Sequence, residues 1–161
     1  MTALFGRQDQ AWFESLRREH YPAERNQVAA HLTLFHQLPP SVAEELKHRL
    51  SQETRGIRAP RAKVTGLISL GGGVAYRIEA PELVAIREGL VDAFAGLLGP
   101  QDAGRWRPHV TIQNKVRPVL AKTVLAALSR DFTAREVEIA GLASWWYRGG
   151  PWEAHSRHMF A

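Results

Sequence analysis

One short pattern occurs twice in this chain. His31-Leu32-Thr33-Leu34 returns 78 residues later as His109-Val110-Thr111-Ile112, and Pro40 returns at the same offset as Pro118. Farther on, Val64-Thr65-Gly66-Leu67-Ile68-Ser69 is echoed by Ile139-Ala140-Gly141-Leu142-Ala143-Ser144 at an offset of 75, as a three-residue deletion would leave it. Internal similarity of this kind marks two copies of one supersecondary unit. Each copy reads as helix, histidine strand, helix and hairpin. A duplicated unit predicts two similar lobes about a pseudo-twofold axis, with the two histidine strands facing each other across a cleft.

Local signals fill in the rest. Residues 2–6 suit a short strand. Asp9 is placed to cap a helix running to about His20, with Trp12, Phe13 and Leu16 on one face. Residues 28–35 read as the first histidine strand. Ser41-Val42-Ala43-Glu44 has the form of a capping box opening a helix to about Glu53. Residues 63–70 and 74–79 read as a hairpin through Gly71-Gly72-Gly73. That glycine run joins two strands and leads into no helix, so it is a turn and not a phosphate loop. Pro81 starts a helix with Leu83, Ile86, Leu90, Phe94 and Leu97 inward, stopped by Gly99-Pro100. Residues 101–107 form a loop, 108–113 the second histidine strand, and Pro118 opens another helix. Residues 136–146 and 152–160 make a last hairpin around Gly149-Gly150-Pro151. No linker interrupts the pattern, so residues 1–161 are expected to form one domain.

Side chains alternate along a strand. His31 and Thr33 therefore share one face while Leu32 and Leu34 share the other, and His109 and Thr111 are likewise set against Val110 and Ile112. Phe35 continues the polar face of the first strand, and Gln113 and Lys115 that of the second. An imidazole beside a hydroxyl, twice, is the set that phosphodiester cleavage needs. One group takes a proton from the attacking oxygen and another protonates the departing one, and histidine does both near neutral pH. Hydroxyl and ammonium donors stabilise the charge that grows on the nonbridging phosphate oxygens. With 7 histidines and 7 threonines in 161 residues, chance supplies fewer than one His-x-Thr; two inside a repeat are hard to obtain by accident.

The chain has no cysteine, which removes disulfides, thiolate metal sites and a cysteine nucleophile. This fits a reducing compartment, and the cytoplasm is the expected location. The start has too short an apolar run for a signal peptide, and no stretch is long enough to span a membrane. The net charge of +5 leans toward an anionic partner.

The two motifs, His31-Leu32-Thr33-Leu34 and Pro108-His109-Val110-Thr111-Ile112, resemble the paired signatures of the two-histidine phosphoesterase superfamily, the group of 2′-5′ RNA ligases and cyclic phosphodiesterases. The resemblance follows element order along essentially the whole chain. It implies an α+β fold: a bilobal duplicated unit, with two antiparallel sheets facing across a central cleft and helices on the outside. It implies catalysis by His31, Thr33, His109 and Thr111, hydrolysing 2′,3′-cyclic phosphates of RNA ends or nucleotides to 2′-phosphates with no metal and no cofactor. It also suggests His109 as the base and His31 as the acid. Two departures bear on substrate preference. His36 stands where the family often has phenylalanine, and the basic residue common just after the second motif is displaced to Lys115, behind Gln113-Asn114. The expected partner is RNA with a 2′,3′-cyclic phosphate end or a cyclic nucleotide, with no membrane and no obligate protein partner. RNA ligation in the reverse direction uses the same residues, and a non-catalytic RNA- or nucleotide-binding module keeps the same cleft.

Candidate substrate contacts are Phe35, Gln113, Lys115, Arg148 and Trp152, since aromatics stack on bases and cations hold phosphate. Trp145, Trp146 and Tyr147 crowd the same last hairpin and suit lobe packing equally well. Arg105, Arg107 and Arg117 flank the second motif as a basic rim or a solvated loop. His155 and His158 point to opposite faces of a strand with no third ligand nearby, so no metal site is expected there. On an ideal strand His36 points away from His31 and reads as a packed or surface histidine.

Overall fold

The structure is a computed structural model describing residues 1–161. It is mixed, with 39% helix and 28% strand. The elements in chain order are β1 (Thr2–Phe5), α1 (Arg7–His20), β2 (Leu32–Thr33), α2 (Ala43–Thr54), β3 (Arg61–Ser69), β4 (Val74–Glu79), α3 (Pro81–Ala93), α4 (Pro100–Ala103), β5 (His109–Gln113), α5 (Pro118–Arg130), β6 (Arg135–Trp146) and β7 (Glu153–Met159).

All strand pairs are antiparallel, in the order β1-β2-β5-β4-β3-β6-β7. Because β1 also pairs with β6, six strands close on themselves as a barrel and β7 extends β6. The expected pair of separate sheets is therefore one continuous sheet. The histidine strands do not face each other across a gap but lie side by side, joined where Leu32 pairs with Val110. The second junction pairs Ala62 with Val137. Both junctions join residues that the offsets of 78 and 75 match in sequence. β4 lies between β5 and β3, and β1 lies between β2 and β6.

Several local expectations shift for physical reasons. The first histidine strand shrinks to Leu32–Thr33. No side chain caps α2: a 3₁₀ turn at Pro40–Val42 puts Val42 at the N-cap, so the Ser41 box does not form. α3 ends at Ala93 and leaves Leu97 48% exposed, while residues 100–103 form a short helix where a loop was expected. Gly6, not Asp9, is the N-cap of α1. Asp9 is instead buried against the sheet, accepting hydrogen bonds from Arg135 at 2.7 Å and the Glu138 amide at 2.8 Å. Asp9→Ala leaves that amide unpaired and is expected to cost about 1–3 kcal/mol, read as a lower denaturation midpoint at unchanged m-value.

Twenty-three buried apolar residues form one core. Phe13 on α1, Leu50 on α2, Leu83 and Leu90 on α3, and the alternate residues Leu32, Val110 and Ile112 of the histidine strands are all fully or nearly fully buried. The apolar face of each histidine strand thus meets the core, which commits the histidine face to the opposite side. The β3–β4 turn closes tightly on the end of β5: a side chain at Gly73 would fall on the Gln113 carbonyl, and the Val116 amide donates to the Gly72 carbonyl at 3.0 Å.

Candidate active site

His31, Thr33, His109 and Thr111 line one cavity of about 470 Å³. The antiparallel register that pairs Leu32 with Val110 sets His31 opposite Thr111 and Thr33 opposite His109, so each imidazole neighbours the other strand's hydroxyl.

Both imidazoles are fixed by the same device. His31 Nδ1 lies 2.7 Å from the Ala29 carbonyl, and His109 Nδ1 lies 2.7 Å from the Arg107 carbonyl. A carbonyl only accepts, so Nδ1 carries the hydrogen in each ring and Nε2 is left as the working nitrogen. Neutral, Nε2 accepts a proton; protonated, it donates one. Burial, the largest cause, holds His31 below the ordinary imidazole value; the bond to Ala29 opposes this, and the nearby charges of Arg17 and His109 add to it.

The backbone around the motifs is held by side chains from distant elements. On α1, Glu14 Oε1 accepts from the Ala30 amide at 2.6 Å and Gln10 donates to the Ala30 carbonyl at 2.9 Å. Buried Arg17 donates to the carbonyls of Thr111 at 2.8 Å and Val28 at 3.0 Å. On α3, buried Arg87 donates to the carbonyls of Leu34 at 2.9 Å and Asp102 at 2.6 Å. The Trp106 indole donates to the Thr33 carbonyl at 2.9 Å. None of these residues was singled out by sequence reasoning, because partners up to 94 positions apart leave no local pattern.

The expected substrate contacts divide. Trp152 lines the cavity, its ring 4.8 Å from that of His31, and Phe35 lines it while almost wholly buried. Lys115 lies on an adjoining cavity of about 450 Å³ that shares His31 and Thr111; it has the only positive φ outside glycine, at 62°. Gln113 is buried and Arg148 is exposed near Glu153, and neither lines these cavities. Asn114, Trp145 and Tyr147, none of them an expected contact, do line the 470 Å³ cavity. So does His36, exposed because the chain leaves the strand after Thr33 and ideal alternation no longer applies. No three His, Asp or Glu side chains gather as a metal site would require, and no helix is long and apolar enough to cross a membrane.

A family model described as the 2′-5′ RNA ligase superfamily matches residues 5–151. The chain belongs to the 2′-5′ RNA ligase superfamily. The match takes in both His-x-Thr strands, and for a member of this superfamily a function of the phosphoesterase or ligase type is supported. Among solved structures, TT0787 of Thermus thermophilus is similar over 99% of this chain and 95% of its own, with a TM-score of 0.62 and 14% identity. That likeness speaks for the fold alone. No curated protein matches this superfamily member by sequence.

Proposed function

We propose that this protein is a phosphodiesterase that opens 2′,3′-cyclic phosphates of RNA ends or nucleotides by acid–base catalysis between His31 and His109, without a metal or other cofactor. The observation that carries this reading is the matched pair of imidazoles, each with Nδ1 tied to a carbonyl and each beside a threonine, on one cavity. In the reaction, one Nε2 takes a proton from water as its oxygen bonds to phosphorus. The bond from phosphorus to the 3′ oxygen breaks, and the other imidazolium gives that oxygen its proton, leaving a 2′-phosphate. Thr33 and Thr111 donate to the nonbridging oxygens. By resemblance His109 is the base and His31 the acid. The site acts in the cytoplasm on RNA, and Lys115 and Trp152 hold the substrate beside the histidines. The equivalence of residues across both sheet junctions supports an origin by duplication.

The superfamily's description favours a second reading, joining of RNA ends through a 2′-5′ bond: a 5′-hydroxyl takes the place of water at phosphorus, the 3′ oxygen leaves, and the same two proton transfers are needed. A panel of 2′,3′-cyclic nucleotides and cyclic-ended RNA, assayed in EDTA with 2′- and 3′-phosphate products resolved, separates the outcomes. Hydrolysis to 2′-phosphate that survives EDTA is expected. Loss on chelation with rescue by one divalent ion overturns metal independence, joined RNA ends favour the ligase, and binding without turnover leaves a binding module.

A further inference from the structure

A separate cavity of about 520 Å³ shares no lining residue with the one that holds the histidines. Three arginines line it: Arg77 on β4, and Arg105 and Arg107 on the segment that leads into β5. All three are exposed, and none forms an ion pair with a carboxylate. Glu79 is the one acidic side chain on the wall. Glu82, in the first turn of α3, is already taken by Arg61 at 2.9 Å. Cations gathered without matching counter-charge repel one another, and an anionic ligand relieves that repulsion. Half-buried Trp106 lies among them and adds an aromatic surface to the same wall.

The sheet sets this cavity beside the catalytic one. Arg77 pairs with His109 across β4 and β5, so the two side chains leave the same face as neighbours. On its other side Arg77 pairs with Gly66 of β3, where a Cβ would meet nothing within 4 Å, so the face beyond Arg77 is open. A strand whose cyclic end lies between His31 and His109 continues through the 5′ oxygen of its last nucleotide. Exposed arginines that begin beside His109 are the chemistry that holds a phosphodiester backbone, and an aromatic side chain among them suits a base. We propose that the 520 Å³ cavity holds backbone phosphates that precede the cyclic end, and so makes an RNA strand a better substrate than a free nucleotide. The proposal rests on the cyclic phosphate reading above and adds to it an anion site outside the catalytic cavity.

The test compares cytidine 2′,3′-cyclic phosphate with a trinucleotide that ends in the same cyclic group. The added phosphates are expected to raise kcat/KM about tenfold or more at low salt. Arg77→Gln and Arg105→Gln are each expected to lower that advantage about threefold or more. The ratio cancels any change that both substrates share, including one passed from Arg77 to His109. Arg58→Gln removes an exposed charge outside the cavity and is the control for net charge. An advantage unchanged in both cavity variants, or reduced equally in Arg58→Gln, overturns the proposal. If the wild type turns over neither substrate, the proposed function fails, and the site is then read by binding. A 5′-fluorescein RNA decamer is titrated by anisotropy at several salt concentrations. The slope of log affinity against log salt is expected to become shallower by about 0.7 in each of Arg77→Gln and Arg105→Gln. An unchanged slope in both, or displacement of the decamer by decaglutamate as readily as by unlabelled RNA, overturns the site.

Discussion

His31→Ala and His109→Ala should each lower turnover of a 2′,3′-cyclic nucleotide about 10²–10⁴-fold, the usual worth of one positioned acid or base. Thr33→Ala and Thr111→Ala should cost less, about 10- to 100-fold, as the loss of one hydroxyl donor to a charged oxygen. The roles are assigned with a substrate whose leaving group needs no proton: the acid variant recovers on it and the base variant does not. Recovery of His109→Ala while His31→Ala stays inactive reverses the two roles. The pH profile gives a second reading. Burial holds the His31 pKa below the ordinary imidazole value in the free protein. A group that must be protonated to act loses activity as pH rises through its pKa. With His31 as the acid, the alkaline limb of kcat/KM therefore falls below about pH 6.5, and that of kcat, measured with the phosphate anion bound, moves upward. With His31 as the base, the depressed value governs the acidic limb instead. Wild-type rates in both alanine variants would remove the acid–base mechanism altogether.

Arg87→Met should lower stability more than the loss of any exposed charge. It removes the guanidinium that lies over the Phe35 and Trp106 rings and donates to the Leu34 and Asp102 carbonyls. Two buried bonds from a charged group, each worth about 1.5–3 kcal/mol, put the loss at about 3–6 kcal/mol. For a chain of this size that is a fall in Tm of about 6–24 °C. The same change removes the donor that holds the Asp102 carbonyl. An unchanged Tm would mean water satisfies both carbonyls in the absence of the guanidinium.

The His-x-Thr pair was legible because a two-residue period is the strongest rule a strand obeys: once Leu32, Val110 and Ile112 are committed to the core, His31, Thr33, His109 and Thr111 have no other face to occupy. The repeat matches Leu32 with Val110 by offset, and the sheet joins those two residues. It did not foretell that the two strands hydrogen-bond directly, because backbone pairing between Leu32 and Val110 leaves no mark on side-chain identity. His36 lies at the surface, yet it shares a cavity with His31, because the strand stops at Thr33 and ideal alternation ends there. Asp9 has the residue type and position of a cap, yet tertiary partners on β6 take its carboxylate from the helix end. Arg17, Glu14 and Arg87 look like ordinary solvated helix charges, and only the fold shows that they bond the Thr111 carbonyl, the Ala30 amide and the Leu34 carbonyl, in or beside the two motifs.

The central claim is that the two imidazoles bracket one phosphate, each through Nε2. Nitrogen-15 NMR of the histidine rings during titration with cytidine 2′-phosphate tests it most directly. The account predicts that Nε2 of His31 and of His109 shift together along one binding curve while both Nδ1 atoms stay protonated. A response from only one ring, or two curves with different midpoints, would contradict it.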